Sequence, residues 1–246
     1  MTTPAEYGSA YIDWLRSEEQ AGAPLIPAAT VVLLRDREEG LEVLLLRRNA
    51  AVEFAGGMWV FPGGRIDPED HVLADGEPDG DLLAAARNAC VREAHEESAQ
   101  LVDVDTLVWF AHWCPPSVAK KRFATFFFAC RSAGDDVTID GSEIHGHEWM
   151  RPADALARHR AHEVDLAPPT WMTLHDLTFA TDVADALRRF AATPARFYET
   201  HVQRHERGMT FLWHPDVAYD GGDLAAPGPR HRIDVVDRVW SLEREE

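Results

Sequence analysis

The sequence predicts an α/β (α+β) fold, a mixed sheet covered by helices, with a C-terminal extension. Three observations carry this. Two runs rich in Val and Leu, Ala28 to Leu34 and Leu41 to Leu46, flank a turn at Asp36 to Gly40 and read as a β-hairpin. Leu82 to Ser98 has helical periodicity, with Leu83, Cys90, Val91 and Ala94 on one sector. Strand-like and helix-like segments then alternate as far as Ala191, which is the pattern of a layered α/β sandwich.

The elements follow in order. Residues 5–20, with Tyr11, Ile12, Trp14 and Leu15 among charges, read as an amphipathic helix closed by Pro24 and Pro27. The hairpin ends in Arg47 and Arg48, which are either strand-end charges or cations near a substrate. A loop from Asn49 to Gly57 leads to a short apolar strand at Trp59, and residues 65–81 form a polar loop. After the helix come two strands, Leu101 to Trp113 and Arg122 to Arg131. Phe126-Phe127-Phe128 lacks alternation, which implies burial on both faces. A strand at His147 to Met150 precedes a helix starting at Arg151-Pro152, with further helices from Pro168 to Leu177 and Asp182 to Ala191. Beyond Thr193 the strand candidates are Met209 to Trp213 and Ile233 to Val236. This sets three parts: an N-terminal helical segment, 1–27; a main domain, 28–192; and an extension, 193–246, packed on the core or on a partner chain.

Composition narrows the function classes. Hydrophobic residues make up 46% of 246, enough for a sizeable core. A formal net charge of −18 opposes a general nucleic-acid or anionic-membrane binder. No membrane span and no signal peptide is evident, and Cys90, Cys114 and Cys130 have neither disulfide nor zinc-site spacing. A reducing cytoplasm is the expected location.

Glu93, Glu96 and Glu97 stand at i, i+3 and i+4 of the Leu82–Ser98 helix and crowd one sector. Taken alone, this spacing reads as a solvated acidic face, or as a cluster whose mutual repulsion is relieved by a cation. Arg92 relieves part of it, and a hard divalent ion with oxygen ligands would relieve more. Upstream lies Met58-Trp59-Val60-Phe61-Pro62-Gly63-Gly64. A strand, a glycine pair, a polar loop and then Arg92-Glu93-Ala94-His95-Glu96-Glu97 resemble the box of the Nudix hydrolases, here with a long insertion, as in the subgroup related to peroxisomal coenzyme A diphosphatases. Trp149-x-x-Pro152-x-x-Ala155-Leu156 is also similar to that family, and the likeness runs from Ala28 to Leu177.

The resemblance implies a Nudix-type α/β/α sandwich. It implies Mg²⁺ or Mn²⁺ held by Glu93, Glu96 and Glu97, with Arg92 bracing the box and Glu97 a candidate base. Gly63 and Gly64 would close over the substrate. A further acidic box position maps to Asp70, or to Asp67 or Glu69 given the insertion. Ala99 stands where the family has a glycine, so the helix either runs to Gln100 or ends under strain. An extra ligand or base would come from the segment holding Glu143 and Glu148. Substrate phosphate would meet Arg47, Arg48 or Arg122, the last in the basic run Lys120-Lys121-Arg122, whose alternative reading is a charged strand edge.

The implied activity is hydrolysis of a diphosphate in a nucleoside diphosphate derivative, with coenzyme A or an acyl derivative first. Leu44, Leu45, Arg48 and Gly57 fit the coenzyme A signature, while Leu46, Asn49 and Glu53 depart from it. ADP-ribose or a dinucleotide is the alternative, and a non-catalytic nucleotide-binding module is the reading from another class. A homodimer is common among such enzymes. His145 and His147 read as a solvent-facing pair, and His201, His205 and Glu206 do not form a zinc-protease motif.

Overall fold

The computed structural model describes residues 23–50, 56–72, 80–117, 119 and 121–245. The expected helix around Tyr11 to Leu15, Glu53 and Lys120 lie outside them. Strand β1 (Leu25–Arg37) starts ahead of the expected Ala28 and turns into β2 (Gly40–Arg48). The two pair antiparallel only from Leu34↔Val43 to Arg37↔Gly40. Past that point they part, and the next segment is wedged between them. There β3 (Trp59–Val60) pairs with β2, and β4 (Gly63–Arg65) pairs with β1.

Helix α1 (Leu82–Ser98) follows, then β5 (Val108–Cys114), β6 (Arg122–Arg131) and β7 (Ile144–Met150). The strand expected from Leu101 begins only at Val108. Asp103 accepts a hydrogen bond from the Asp105 N–H at 3.0 Å and caps a short 3₁₀ turn over Val104–Thr106, so the apolar residues there do not extend. Helices α2 (Pro152–Arg160), α3 (Pro168–Leu177) and α4 (Val183–Ala191) complete the main layer. The sheet has eight strands in the order β3-β2-β1-β6-β5-β8, with β4 on β1 and β7 on β2; β8 is Arg196–Glu199. Pairs β1/β6 and β5/β8 are parallel, so the sheet is mixed.

Period-two alternation sorts the core into two layers. Val31 and Leu33 of β1 face α1, whose Ala85, Ala86, Ala89 and Ala94 let the helix sit close to the sheet. Val32 and Leu34 face the other way, toward Ala155, Met172, Leu174 and Val183 of α2–α4. Phe126 and Phe128 join the first layer and Phe127 the second, so the phenylalanine run is buried on both sides. The result is an α/β/α sandwich.

The C-terminal residues form a second, antiparallel sheet, β12-β11-β10-β9. Its strands are β9 (His201–His205), β10 (Gly208–Leu212), β11 (His231–Val236) and β12 (Val239–Arg244). Trp213 and Ile233 belong to the α2–α4 side core. Trp113 stacks on Tyr198 at 3.8 Å and meets Trp213 edge-on at 5.5 Å, while Arg244 forks onto Asp176 at 3.2 and 2.7 Å. No helix among the described residues is long and apolar enough to cross a membrane. Cys90, Cys114 and Cys130 are all buried, and none of them forms a disulfide.

Candidate active site

The wedge between β1 and β2 carries Gly63 and Gly64 to the C-terminal half of α1. Neither position has room for a side chain. A Cβ on Gly63 would overlap the backbone of β1 at Ala29 and Thr30, and one on Gly64 would overlap the Glu93 carboxylate. The absence of both Cβ atoms lets glutamates of the helix reach sheet backbone: the Gly63 N–H donates to Glu97 Oε2 at 2.9 Å.

Glu93, Glu96 and Glu97 sit close together in the last turns of α1, where the helix dipole is also negative. Arg92 answers part of this. It forks onto Asp70 at 3.1 and 2.9 Å, bonds Glu93 at 2.9 Å and Glu96 at 3.1 Å, and donates to the Arg65 carbonyl at 3.0 Å. Hydrogen bonding to Asp70 foremost, with burial opposing and Glu93 adding to it, holds its guanidinium firmly charged. Asp70 is itself buried, accepts from the Asp67 N–H at 2.8 Å, and has its backbone carbonyl bonded by Asn88 at 2.9 Å. Its role is thus to brace the arginine. Of the three candidates for that acidic place, Asp67 lines the cavity and Glu69 is exposed.

Glu97 is different. Only 7% exposed, it is pushed up to about 8 by burial, with the Gly63 hydrogen bond working the other way and Glu93 adding to the rise. Burial raises Glu93 as well, against Arg92. These carboxylates want a positive partner, which suits a divalent cation. Among the described residues, however, no three His, Cys, Asp or Glu side chains already form a metal cluster, and Arg92 engages Glu93 and Glu96.

The three glutamates open on a cavity of about 690 Å³. Its polar side also holds Arg48, Arg65, Asp140 and Glu143, and its other side holds Phe123, Phe127, Pro168 and Phe211. Arg48 bonds Glu143 at 2.9 Å. Glu143 is set by a turn at Asp140, which accepts from the N–H groups of Ser142, Glu143 and Ile144 at 3.1, 2.9 and 3.0 Å. Burial opposes ionisation of Asp140, but the Ser142 hydroxyl and these N–H groups bring it down to about 2.

Other expected residues lie elsewhere. Arg47, next to Arg48 on the strand across a register irregularity, is exposed and does not line the cavity. Arg122 is 1% exposed and bonds the Ala23 and Pro115 carbonyls at 3.4 Å. Alternation explains this: Phe123 and Thr125 of β6 take the cavity side, so Arg122 takes the α1 side. Glu148 is on the surface, bonded to Arg158 at 2.8 Å, and His145 and His147 are exposed. His201 and His205 are on β9, and the His201 ring meets the Tyr219 carbonyl at 2.8 Å. Ala99 adopts the left-handed conformation, φ 54°, so the helix ends there.

Sequence reasoning missed Arg65, Asp140, Thr200 and Phe211 as cavity residues. Asp140-Gly141 carried a turn signal that marks the loop. Arg65 directly follows the glycine pair. Phe211 had no local signal at all.

A family model for the NUDIX domain matches residues 24–171, and the chain therefore belongs to the Nudix family. It is similar to the acyl-coenzyme A diphosphatase NUDT19 of Xenopus laevis, 22% identical over 225 residues, covering 55% of this chain and 59% of that protein. It is also similar to the putative nudix hydrolase 7 of Caenorhabditis elegans, 25% identical over 180 residues, covering 58% and 57%. The chain thus spans somewhat over half the length of these relatives. A NUDIX hydrolase structure from Alicyclobacillus acidocaldarius superposes with a TM-score of 0.58 at 23% identity, covering 70% of this chain and 97% of that one. That likeness speaks to the fold.

Proposed function

We propose that the chain is a Mg²⁺- or Mn²⁺-dependent diphosphohydrolase acting on a nucleoside diphosphate derivative, with coenzyme A or an acyl derivative first. One observation carries the reading: Glu97 is a buried carboxylate on the cavity whose hydrogen-bond partner is a backbone N–H of the glycine pair. A divalent cation held by Glu93, Glu96 and Glu97 would neutralise the diphosphate and acidify a bound water. Glu143, on its exposed turn, takes the proton of the attacking water. Water oxygen bonds phosphorus, and the bridging P–O bond breaks toward the leaving phosphate. Arg48 and Arg65 bind outer phosphate oxygens, since each lines the cavity.

The similarity to the Xenopus laevis protein supports coenzyme A. Two departures from the coenzyme A signature weigh little against it. Leu46 is wholly buried against the α1 layer, so its change is one of packing, and Asn49 bonds the Ser142 carbonyl at 3.1 Å, tying down the Glu143 loop.

The test is a product assay on the full chain with coenzyme A, an acyl-coenzyme A, ADP-ribose, NADH and a diadenosine polyphosphate. Hydrolysis of coenzyme A in Mg²⁺ or Mn²⁺ and its loss on chelation are expected. Full activity in EDTA after removal of bound metal overturns the metal reading. Preferred cleavage of ADP-ribose or a dinucleotide overturns the substrate assignment.

A further inference from the structure

The cavity has two chemically unlike sides. Besides the carboxylates its lining includes an apolar set, and part of the lining comes from outside residues 24–171, the span of the matched domain. That part is Phe211 on β10, with Thr200 at the β8–β9 junction. We propose that Phe211 is a specificity-determining residue, contacting the apolar arm that the substrate carries beyond its diphosphate. The inference rests on the diphosphohydrolase reading and deepens it.

Phe211 is fixed well enough for that role. Its backbone lies between Val202 of β9 and Ile233 of β11. Its ring is 6.0 Å from Trp240, which in turn lies 5.9 Å from Trp171 on α3. Thr200 is held by its N–H to the Cys114 carbonyl at 3.0 Å and by a bond from Trp213 Nε1 to its hydroxyl at 3.0 Å. The C-terminal sheet is therefore anchored to both β5 and α3, and Phe211 moves with neither loop nor terminus. Unlike Trp213, it is only partly buried, and the cavity takes its remaining face.

The chemistry of the wall selects the occupant. Phe123, Phe127, Phe211 and the Pro168-Pro169 pair offer ring and methylene surface, with threonine hydroxyls as the neutral polar groups beside them to replace the water around sugar hydroxyls. The gem-dimethyl and methylene groups of a pantetheine arm gain by burial there, whereas the second ribose of ADP-ribose, hydroxylated throughout, offers no such surface. Both substrates contain an adenosine diphosphate part, to which coenzyme A adds a 3′-phosphate, so dephospho-coenzyme A joins the comparison to isolate the arm.

Wild type, Phe211→Ala and Phe211→Leu are to be compared on coenzyme A, dephospho-coenzyme A and ADP-ribose, with melting temperature as control. In Phe211→Ala, KM for coenzyme A and for dephospho-coenzyme A should rise about tenfold with kcat nearly unchanged, and KM for ADP-ribose should move less than about twofold. Phe211→Leu, which keeps apolar volume, should restore most of the coenzyme A KM. An equal change on all three substrates, or a fall in kcat that tracks lost stability, overturns the inference and leaves the hydrolase reading standing. Wild type that cleaves none of the three overturns the inference, and wild type that cleaves nothing in the full panel overturns the hydrolase reading as well.

Discussion

Arg232–Asp216 in the C-terminal sheet and Arg92–Asp70 in the box are both bidentate arginine–aspartate pairs, and they differ in what surrounds them. In the C-terminal sheet, Arg232 grips Asp216 at 2.8 and 2.6 Å, with both side chains buried. The remaining acceptor capacity of Asp216 is taken by the N–H groups of Ala218 and His231, each at 2.9 Å. Burial opposes the charge of Asp216, but the arginine and these donors hold its carboxyl below the ordinary range. In the box, Arg92 grips Asp70 in the same way, yet Glu93 and Glu97 beside it are raised by burial. The first region is a closed polar network, complete without a ligand. The second has a surplus of carboxylate facing a cavity. That surplus separates a site from a structural pair, because buried charge is tolerated only with a partner.

Substitutions in the two regions should therefore fail differently. Glu97→Gln keeps shape and removes the surplus ionisable carboxyl. Turnover on the best substrate should fall about a hundredfold or more, with the melting temperature kept or raised. Glu69→Gln, on an exposed side chain, should leave turnover nearly intact. A larger loss in Glu69→Gln than in Glu97→Gln would place the chemistry elsewhere in the box. Asp216→Ala should do the reverse. It strands a buried guanidinium, so stability should drop by about 3–5 kcal/mol, while kcat per folded molecule stays near wild type. Loss of kcat without loss of stability would erase the distinction between the regions.

The surplus also predicts a pH dependence in metal-free protein. Glu97 rises from an ordinary 4.5 to about 8 on folding, so between these values the folded chain binds more protons than the unfolded one. Its stabilising contribution is complete below about 4.5 and is lost as pH climbs through about 8. Melting curves in EDTA should fall over this window in wild type and less so in Glu97→Gln, and Mg²⁺ should restore the wild type at the upper end. Identical profiles for the two proteins would mean that Glu97 is not the buried acid described. The smallest effect concerns the helix end. Ala99 is held at φ 54°, which costs a residue with a Cβ about 1 kcal/mol or more. Ala99→Gly should raise stability by less than about 1 kcal/mol, after the greater freedom of unfolded glycine is counted. Turnover should not change, and a large gain would show that the native helix end impairs the site.

The polar half of the site was legible because its residues are neighbours in sequence. The i, i+3, i+4 spacing of Glu93, Glu96 and Glu97 fixes their common direction once the helix exists, and the glycine pair upstream marks a close approach. Arg122 shows where such reading stops. A cation opening a strand has two faces to choose from, and only the register with Leu25 of β1 decides that it turns inward. Leu101, Val102 and Val104 looked like a strand because their apolar character was visible, whereas the capping geometry of Asp103 was not. Strands β8, β9 and β12 carry Arg, Glu, His and Gln, too polar for a run of β-formers, and earn their order from tertiary contacts. Phe211 is the extreme case, since it reaches the cavity through a sheet formed by residues that follow the matched domain.

The central claim is that the box holds a surplus carboxylate awaiting a cation, and the most direct measurement is calorimetric titration of Mn²⁺ into metal-free protein at pH 7 in buffers of different ionisation enthalpy. Glu97, raised to about 8, is mostly protonated there, so wild type should release about one proton per bound cation. Glu97→Gln should bind at least about tenfold more weakly, with almost no proton released. Equal affinity and equal proton release in the two proteins would contradict the claim.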